Sequence, residues 1–166
     1  MGAGRELSLI TLFEEMSVFL GVNTLNLDTK GRMAIPIKYR EMLGDTRVVV
    51  TVNPKEHCLW LYPESEWREI FRKLSRLPTM DRQNRLLQRL LMGHASELDL
   101  DGQGRILLSP ELRKYANLEK KVSLVGQAHK FEIWNESTWA KSREEWLTEA
   151  NDSESELSEQ LSEMVF

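Results

Sequence analysis

Two short segments of the sequence carry an aspartate that is followed four residues later by an arginine. They are Leu27-Asp28-Thr29-Lys30-Gly31-Arg32 and Leu100-Asp101-Gly102-Gln103-Gly104-Arg105. Asp-x-x-Gly predicts a tight turn, because the aspartate side chain caps its own backbone and the glycine adopts a positive φ. Residues that flank such a turn lie opposite each other, so Asp28 can pair with Arg32 and Asp101 with Arg105.

Such a pair suits the recognition of DNA. A carboxylate that holds one edge of a guanidinium fixes its direction and leaves other N–H donors available. The arginine can then donate to O6 and N7 of guanine, a contact worth about 1–3 kcal/mol of discrimination between bases. Lys30, at the apex of the first turn, would contact phosphate instead. The alternative is a pair that only staples the turn, but an exposed ion pair contributes about 0–1 kcal/mol, so a staple explains the arginines poorly.

The two turns belong to a longer internal repeat. At an offset of 73 positions the identical residues include Leu25, Leu27, Asp28, Gly31, Arg32 and Arg40, which match Leu98, Leu100, Asp101, Gly104, Arg105 and Arg113. Each copy predicts a β-turn-β-α-β-turn-β unit, and together the copies predict an α+β fold that is mainly β. The predicted helices cover 38–43 and 111–116. The predicted later strands cover 47–52, 57–62, 122–125 and 130–134, with turns at 53–56 and 126–129.

A helical insert separates the copies. Apolar residues recur at three- and four-residue steps on both sides of Pro78, which predicts two amphipathic helices. Their other faces carry basic residues, namely Arg68, Arg72, Lys73, Arg76, Arg82, Arg85 and Arg89. This surface is solvated or paired with neighbouring acids in one interpretation, and it binds phosphates directly in the other.

The charge is divided unevenly along the chain. Residues 1–131 hold 20 Lys and Arg against 16 Asp and Glu, whereas residues 132–166 hold 2 against 10, and the net charge is −4. We expect the acidic end to be mobile or a frayed helix. It is a solubilising tail in one interpretation, and in the other it competes with an anionic ligand for the basic part of the chain.

The sequence argues against several other classes of protein. The single cysteine, Cys58, excludes a disulfide framework and a multi-thiolate metal site, so we expect a cytoplasmic protein. No apolar run approaches the roughly 20 residues that span a bilayer, so we expect no membrane partner. The histidines lack metal-ligand spacing, and neither G-x-S-x-G nor a phosphate-binding glycine loop is present. His57 precedes Cys58, but adjacent strand residues point to opposite faces. We therefore expect no enzyme, no cofactor and no small-molecule substrate.

Further motifs surround the two turns. They are Phe19-x-Gly21, Leu90-Leu91-x-Gly93-His94-Ala95, Leu124-Val125-Gly126 and Phe131-Glu132-x-Trp134. Together with the turns, from about Phe19 to Trp146, they resemble the MraZ family, which consists of bacterial transcriptional regulators of the division and cell-wall gene cluster.

The resemblance implies a fold, an assembly and a set of DNA contacts. It implies two AbrB-like swapped-hairpin β units that form a pseudo-dimeric barrel, with a helical insert and C-terminal helices. It also implies a homo-oligomeric ring and sequence-specific binding of double-stranded DNA. The contacts would fall on Arg32 and Arg105, with Asp28 and Asp101 as partners and Lys30 nearby. Because Gln103 replaces Lys30 in the second copy, the two turns need not contribute equally.

We divide the chain into five segments on this basis. They are an unstructured or non-native N-terminal extension at 1–18, a first AbrB-like repeat at 19–65, the helical insert at 66–94, a second repeat at 95–138, and a C-terminal helix with an acidic tail at 139–166. Members of the family usually begin within a few residues of the Phe-x-Gly motif. We therefore expect the extension to come from an upstream start codon, with Met16 as a candidate natural start, or to be an added segment.

Repetition of the turns has a functional meaning. One turn reads only a few base pairs, which is too little for specificity against a genome, whereas linked turns bind repeated short sites with a high effective concentration. We expect a nucleoid-associated repressor that reads short repeated G-containing sites in its own promoter region. The alternative is a protein-binding module, since AbrB-like units also occur in antitoxins. Steep salt dependence would distinguish DNA binding.

Overall fold

The computed structural model describes residues 18–44 and 46–164. Its strands are β1 (Phe19–Asn26), β2 (Arg32–Ala34), β3 (Val48–Val52), β4 (Leu59–Pro63), β5 (Ser96–Leu98), β6 (Arg105–Leu107), β7 (Lys121–Ala128) and β8 (Lys130–Asn135). Its helices are α1 (Ile37–Leu43), α2 (Glu64–Ser75), α3 (Arg82–Leu91), α4 (Pro110–Tyr115), α5 (Glu136–Asn151) and α6 (Glu156–Glu163). The α+β fold, mainly β, and the order of elements within each repeat are confirmed. The predicted extension at 1–18 lies, apart from Val18, outside the described residues.

The two repeats exchange strands. The six-stranded antiparallel sheet has the order β1-β7-β8-β4-β3-β5. The first strand of each repeat pairs with the third strand of the other, since β1 pairs with β7 and β5 with β3. The second strands, β2 and β6, form a separate two-stranded sheet in which Met33 lies opposite Ile106. This confirms the swapped arrangement of the two units, and closure into a barrel stays a prediction.

The turn between β7 and β8 is present but shorter than the predicted 126–129, because it is confined to His129. β7 continues to Ala128, and Gly126 pairs with Gly21 of β1 on one side and Phe131 of β8 on the other. A Cβ at Gly126 would lie 2.6 Å from the backbone nitrogen of Leu20. The glycine therefore permits close approach of β1, and pairing on both sides outweighs the local turn signal.

One face of the six-stranded sheet, here called the front face, carries the main core. Its fully buried residues include Val48, Val50, Val52 and Ile133 from the sheet, and Met33, Ile35, Ile106 and Leu108 from β2, β6 and the residues that follow them. Helices α1 and α4 complete this layer, and Ser109 caps the start of α4, its hydroxyl accepting from the Leu112 N–H at 3.2 Å. Burial of the alternating strand residues thus holds the two turns against the sheet.

The back face carries the insert and the C-terminal helices. Val49 and Tyr62 pack against the insert, and the Thr51 hydroxyl donates to the Leu91 carbonyl at 2.7 Å. Trp134 of β8 packs against Trp139 and Trp146 of α5, with ring centroids 5.4–5.8 Å apart. These ring contacts attach α5 to the back face of the sheet.

The acidic end is helical as far as Glu163. Helix α6 folds back on α5, because the Ser155 hydroxyl donates to the Glu149 carbonyl at 2.9 Å and the Ser158 hydroxyl to the Ala150 carbonyl at 3.1 Å. None of the described helices combines the length and the apolar character needed to cross a membrane.

A buried polar cluster joins the two repeats. Glu132 is 7% exposed and accepts hydrogen bonds from Asn53 Nδ2 at 3.3 Å, Trp60 Nε1 at 3.2 Å, Gln127 Nε2 at 3.0 Å and Trp134 Nε1 at 3.1 Å. Asn53 and Trp60 belong to the first repeat, whereas Gln127 and Trp134 belong to the second. Among residues 18–44 and 46–164 the carboxylate has no ion-pair partner, so neutral N–H donors satisfy it.

Candidate nucleic-acid interface

The first Asp-x-x-x-Arg turn connects β1 to β2. Asp28 Oδ1 accepts from the backbone N–H of Lys30 at 3.0 Å and of Arg32 at 2.8 Å. Oδ2 of the same carboxylate accepts from Arg32 Nε at 2.6 Å. Gly31 has a φ of 87°, a conformation that glycine adopts without steric cost. The predicted turn and the predicted Asp28–Arg32 pair are both confirmed.

The second turn, between β5 and β6, repeats this geometry. Asp101 Oδ1 accepts from the backbone N–H of Gln103 and of Arg105, both at 2.9 Å, and Oδ2 accepts from Arg105 Nε at 2.8 Å. Gly104 has a φ of 73°. The sequence repeat is therefore a repeat of side-chain chemistry, and the predicted Asp101–Arg105 pair is confirmed.

These hydrogen bonds keep both carboxylates ionised. The backbone N–H of Arg32, the Arg32 side chain and the Lys30 N–H together lower the pKa of Asp28 from 3.8 to about 2, although burial acts in the opposite direction. The backbone N–H of Arg105 likewise lowers the pKa of Asp101. Each arginine consequently keeps a charged partner throughout the neutral range.

Pairing of β2 with β6 brings the two turns side by side. Arg105 Nη1 lies 3.9 Å from Asp28 Oδ2, so Asp28 is within ion-pair distance of both Arg32 and Arg105. Asp101 pairs with Arg105 alone among the described residues. Four of the five predicted site residues thus form one cluster, and the first turn holds the carboxylate that both arginines share.

The arginine side chains remain partly open to solvent. Arg32 is 31% exposed and Arg105 27% exposed. Within 18–44 and 46–164, the Nη groups of Arg32 have no hydrogen-bond partner. Lys30 is exposed at the apex of the first turn, and Gln103 occupies the equivalent exposed position in the second. The cluster can therefore present two oriented guanidinium groups and one flexible cation to an external ligand.

Two further arginines lie beside the turns. Arg40 Nε of α1 donates to the Ile35 carbonyl at 2.6 Å, and Arg113 Nε of α4 donates to the Leu108 carbonyl at 3.1 Å. Arg40 and Arg113 are equivalent in the internal repeat, and neither is among the predicted site residues. Their equivalence at the offset of 73 was the available signal.

The arginine-rich insert lies apart from this cluster. Helices α2 and α3 pack on the back face, whereas β2 and β6 cover the front face. Arg68 pairs with Glu64 at 2.8 Å and Arg72 with Glu69 at 2.7 Å. The structure favours the solvated and locally paired interpretation of this basic surface.

The cysteine and the histidine beside it have different surroundings. Cys58 is fully buried, and burial together with the Glu132 carboxylate raises the pKa of its thiol. His57 is exposed, with Nδ1 at 3.3 Å from the Tyr115 carbonyl oxygen. In the described part of the chain, no group of three or more His, Cys, Asp or Glu residues is placed to hold a metal ion.

Comparisons with known proteins agree with the doubled architecture. The family model described as "MraZ protein, putative antitoxin-like" matches twice, over residues 18–90 and 91–162. The transcriptional regulator MraZ of Thioalkalivibrio sulfidiphilus is 57% identical over 138 residues, which cover 81% of this chain and 91% of that protein. The transcriptional regulator MraZ of Halorhodospira halophila is 48% identical over 151 residues, which cover 89% of this chain and 99% of that protein.

Proposed function

Because this chain belongs to the MraZ family, we propose that it is a transcriptional regulator that binds double-stranded DNA sequence-specifically. Arg32 and Arg105 read base edges in the major groove, and Asp28 and Asp101 hold their guanidinium groups in the required direction. Lys30 contacts phosphate and positions the first turn. The relatives described above carry the name of transcriptional regulators, which supports this assignment.

One observation carries the proposal. Each arginine uses Nε to bind its own aspartate, which leaves both Nη groups of Arg32 for a second partner, whereas Nη1 of Arg105 lies 3.9 Å from Asp28 Oδ2. A guanidinium held in this way can donate two parallel hydrogen bonds to O6 and N7 of one guanine. Since the turns lie side by side, two such groups act on the same stretch of DNA.

The proposed target is a series of short G-containing repeats upstream of the chain's own gene. A single chain reads few base pairs, so affinity and specificity come from several chains in a homo-oligomeric ring that engage successive repeats. Binding there represses transcription of the division and cell-wall gene cluster. The protein then acts in the cytoplasm, on the nucleoid.

Fluorescence anisotropy with DNA from upstream of the gene tests the proposal. The measured quantity is the preference, defined as the ratio of Kd for scrambled DNA to Kd for upstream DNA at one salt concentration. We expect Arg32→Ala and Arg105→Ala each to reduce the preference by about fivefold to 150-fold, the value of one lost guanine contact. The matched control is Arg76→Ala. It removes an exposed arginine that directly follows α2, a helix of the back face, and should leave the preference unchanged.

Two further readouts separate the proposal from its rival. DNA binding should weaken with salt at a log–log slope of about −0.9 per phosphate contacted, and DNA with one repeat should bind more weakly than DNA with several. Equal affinity for upstream and scrambled DNA would refute base reading. It would direct the search to a protein partner, as the antitoxin-like description of the family suggests.

A further inference from the structure

Arg40 and Arg113 lie across the boundary between the repeats. A Cβ atom added at Gly104 would overlap the side chain of Arg40, and one added at Gly31 would lie 2.6 Å from Arg113 Nε. Arg40 belongs to the first repeat and Gly104 to the second turn, whereas Arg113 belongs to the second repeat and Gly31 to the first turn. Each arginine therefore packs on the turn that its own repeat does not contain.

The backbone reinforces this crossed arrangement. The Ile35 N–H donates to the Gly104 carbonyl at 2.9 Å, and the Ile35 carbonyl accepts from Arg40 Nε at 2.6 Å. Ile35 thus connects Arg40 to the second turn through two hydrogen bonds.

The same connection exists in the other direction. The Leu108 N–H donates to the Gly31 carbonyl at 3.0 Å, and the Leu108 carbonyl accepts from Arg113 Nε at 3.1 Å. Each turn is consequently held on one side by the opposite repeat's backbone and covered by the opposite repeat's arginine.

The glycines of the turns serve this contact as well as the turn itself. A Cβ at Gly31 or Gly104 would overlap the Cδ, Nε and Cζ atoms of the opposite repeat's arginine, so that side chain would have to move. No carboxylate within 18–44 and 46–164 forms an ion pair with Arg40 or Arg113. A backbone carbonyl therefore orients each guanidinium group through its Nε.

We propose that Arg40 and Arg113 are positioning residues that act across the repeats. Arg40 sets the orientation of the second turn and hence of Arg105, and Arg113 sets the orientation of the first turn and hence of Arg32. The predicted effect on DNA binding rests on the proposed function. The effect of each arginine on the turn of the other repeat can be measured without DNA.

A crossed double-mutant cycle on the preference for upstream DNA tests the proposal. Arg40→Ala is expected to reduce the preference by about fivefold, the lower end for one guanine contact. Combined with Arg105→Ala it should cause no further loss, because both changes disable the same turn, whereas its effect should add in full to that of Arg32→Ala. Lys38→Ala removes the same charge from the same helix and should weaken binding to upstream and scrambled DNA equally.

Arg113→Ala should show the converse pattern. Its effect should add to that of Arg105→Ala and vanish in the background of Arg32→Ala. Lys114→Ala on α4 is its charge control. Additive losses in every combination, or coupling of each arginine to the turn of its own repeat, would overturn the proposal.

Amide hydrogen exchange supplies the readout that does not need DNA. Arg40→Ala should accelerate exchange at Gln103 and Arg105, whose N–H groups bind Asp101, and leave Lys30 and Arg32 unchanged. Uniform acceleration in both turns would overturn the proposal, since it indicates general loss of stability. If Arg40→Ala does not fold, Arg40→Lys is measured instead, because it keeps the charge and the stem but loses the Nε donor.

The two proposals fail separately. If the wild-type chain shows no preference for upstream DNA but exchange is accelerated in the crossed pattern, base reading is wrong and the positioning contacts stand. If the preference is present and the crossed pattern is absent, the function stands and the positioning role is refuted.

Discussion

Replacing Glu132 with alanine is expected to cost the fold several kcal/mol. An N–H donor that is buried without a partner costs about 1–3 kcal/mol. Asn53 and Trp134, which both donate to Glu132, are 3% exposed, so water does not easily replace the lost carboxylate. Loss of these two bonds should therefore lower the free energy of unfolding by about 2–6 kcal/mol. Gln127 is exposed and can turn to solvent, so it adds little.

The conservative variant Glu132→Gln gives a second, smaller expected loss in the free energy of unfolding. One carboxylate oxygen accepts from Asn53 and Trp60, and the other accepts from Gln127 and Trp134. An amide keeps one acceptor and turns the other position into a donor, so in either orientation one of the two fully buried donors faces an NH₂ group. We expect a loss of about 1–3 kcal/mol, roughly half of that in Glu132→Ala.

Urea and thermal unfolding followed by tryptophan fluorescence measure both variants. For a chain of this size each kcal/mol shifts Tm by about 2–4 °C, so Glu132→Ala should unfold well below the wild type. Glu119→Ala removes an exposed carboxyl and is the control. An unfolding midpoint for Glu132→Ala that equals that of the control would refute the expected loss of stability. It would show that water accepts the hydrogen bonds that Asn53 and Trp134 otherwise donate to Glu132.

Three further outcomes concern the turns and the thiol. Asp28→Asn is expected to reduce the preference for upstream DNA more than Asp101→Asn, because Asp28 lies within ion-pair distance of both arginines, and equal losses in parallel titrations would contradict the shared role. Since folding lowers the pKa of Asp28 to about 2 and also lowers that of Asp101, their stabilisation should be complete above the ordinary pKa of 3.8 and be lost as the pH falls through the lowered values. The Tm difference between wild type and an Asp28→Asn, Asp101→Asn double variant should therefore shrink over that range, and a constant difference would argue against it. Burial raises the pKa of the Cys58 thiol, so iodoacetamide at neutral pH should label the denatured chain but not the folded one. Mass spectrometry measures the labelled fraction, and rapid labelling of the folded protein would contradict the prediction.

Local chemistry explains why the turns were predictable. The aspartate caps the backbone and binds the arginine within five residues, so the pattern contains all the partners that it needs. The order of elements in each repeat was predictable for the same reason, since Pro36 and Pro110 stand where a strand ends and a helix begins. Neither inference required knowledge of what packs against these segments.

Contacts between the repeats were not predictable in this way. The position of Arg40 on Gly104 depends on the exchange of strands, and the two residues are far apart in the sequence. The alternation of Phe131, Glu132 and Ile133 predicts that Glu132 lies on the opposite face of β8 from its two neighbours. It does not predict that Trp60 of β4 donates a hydrogen bond to the Glu132 carboxylate. Sheet order, which local patterns do not contain, decides both contacts.

Covalent linkage of the two strand-exchanging units has a consequence for how the recognition surface can change over generations. In a dimer of identical single-repeat chains, any substitution in the turn appears twice, so both halves of the surface always change together. In this chain Lys30 and Gln103 occupy equivalent positions and already differ. One turn can acquire a new preference while the other retains the old one, and the DNA element that they read is free to lack dyad symmetry.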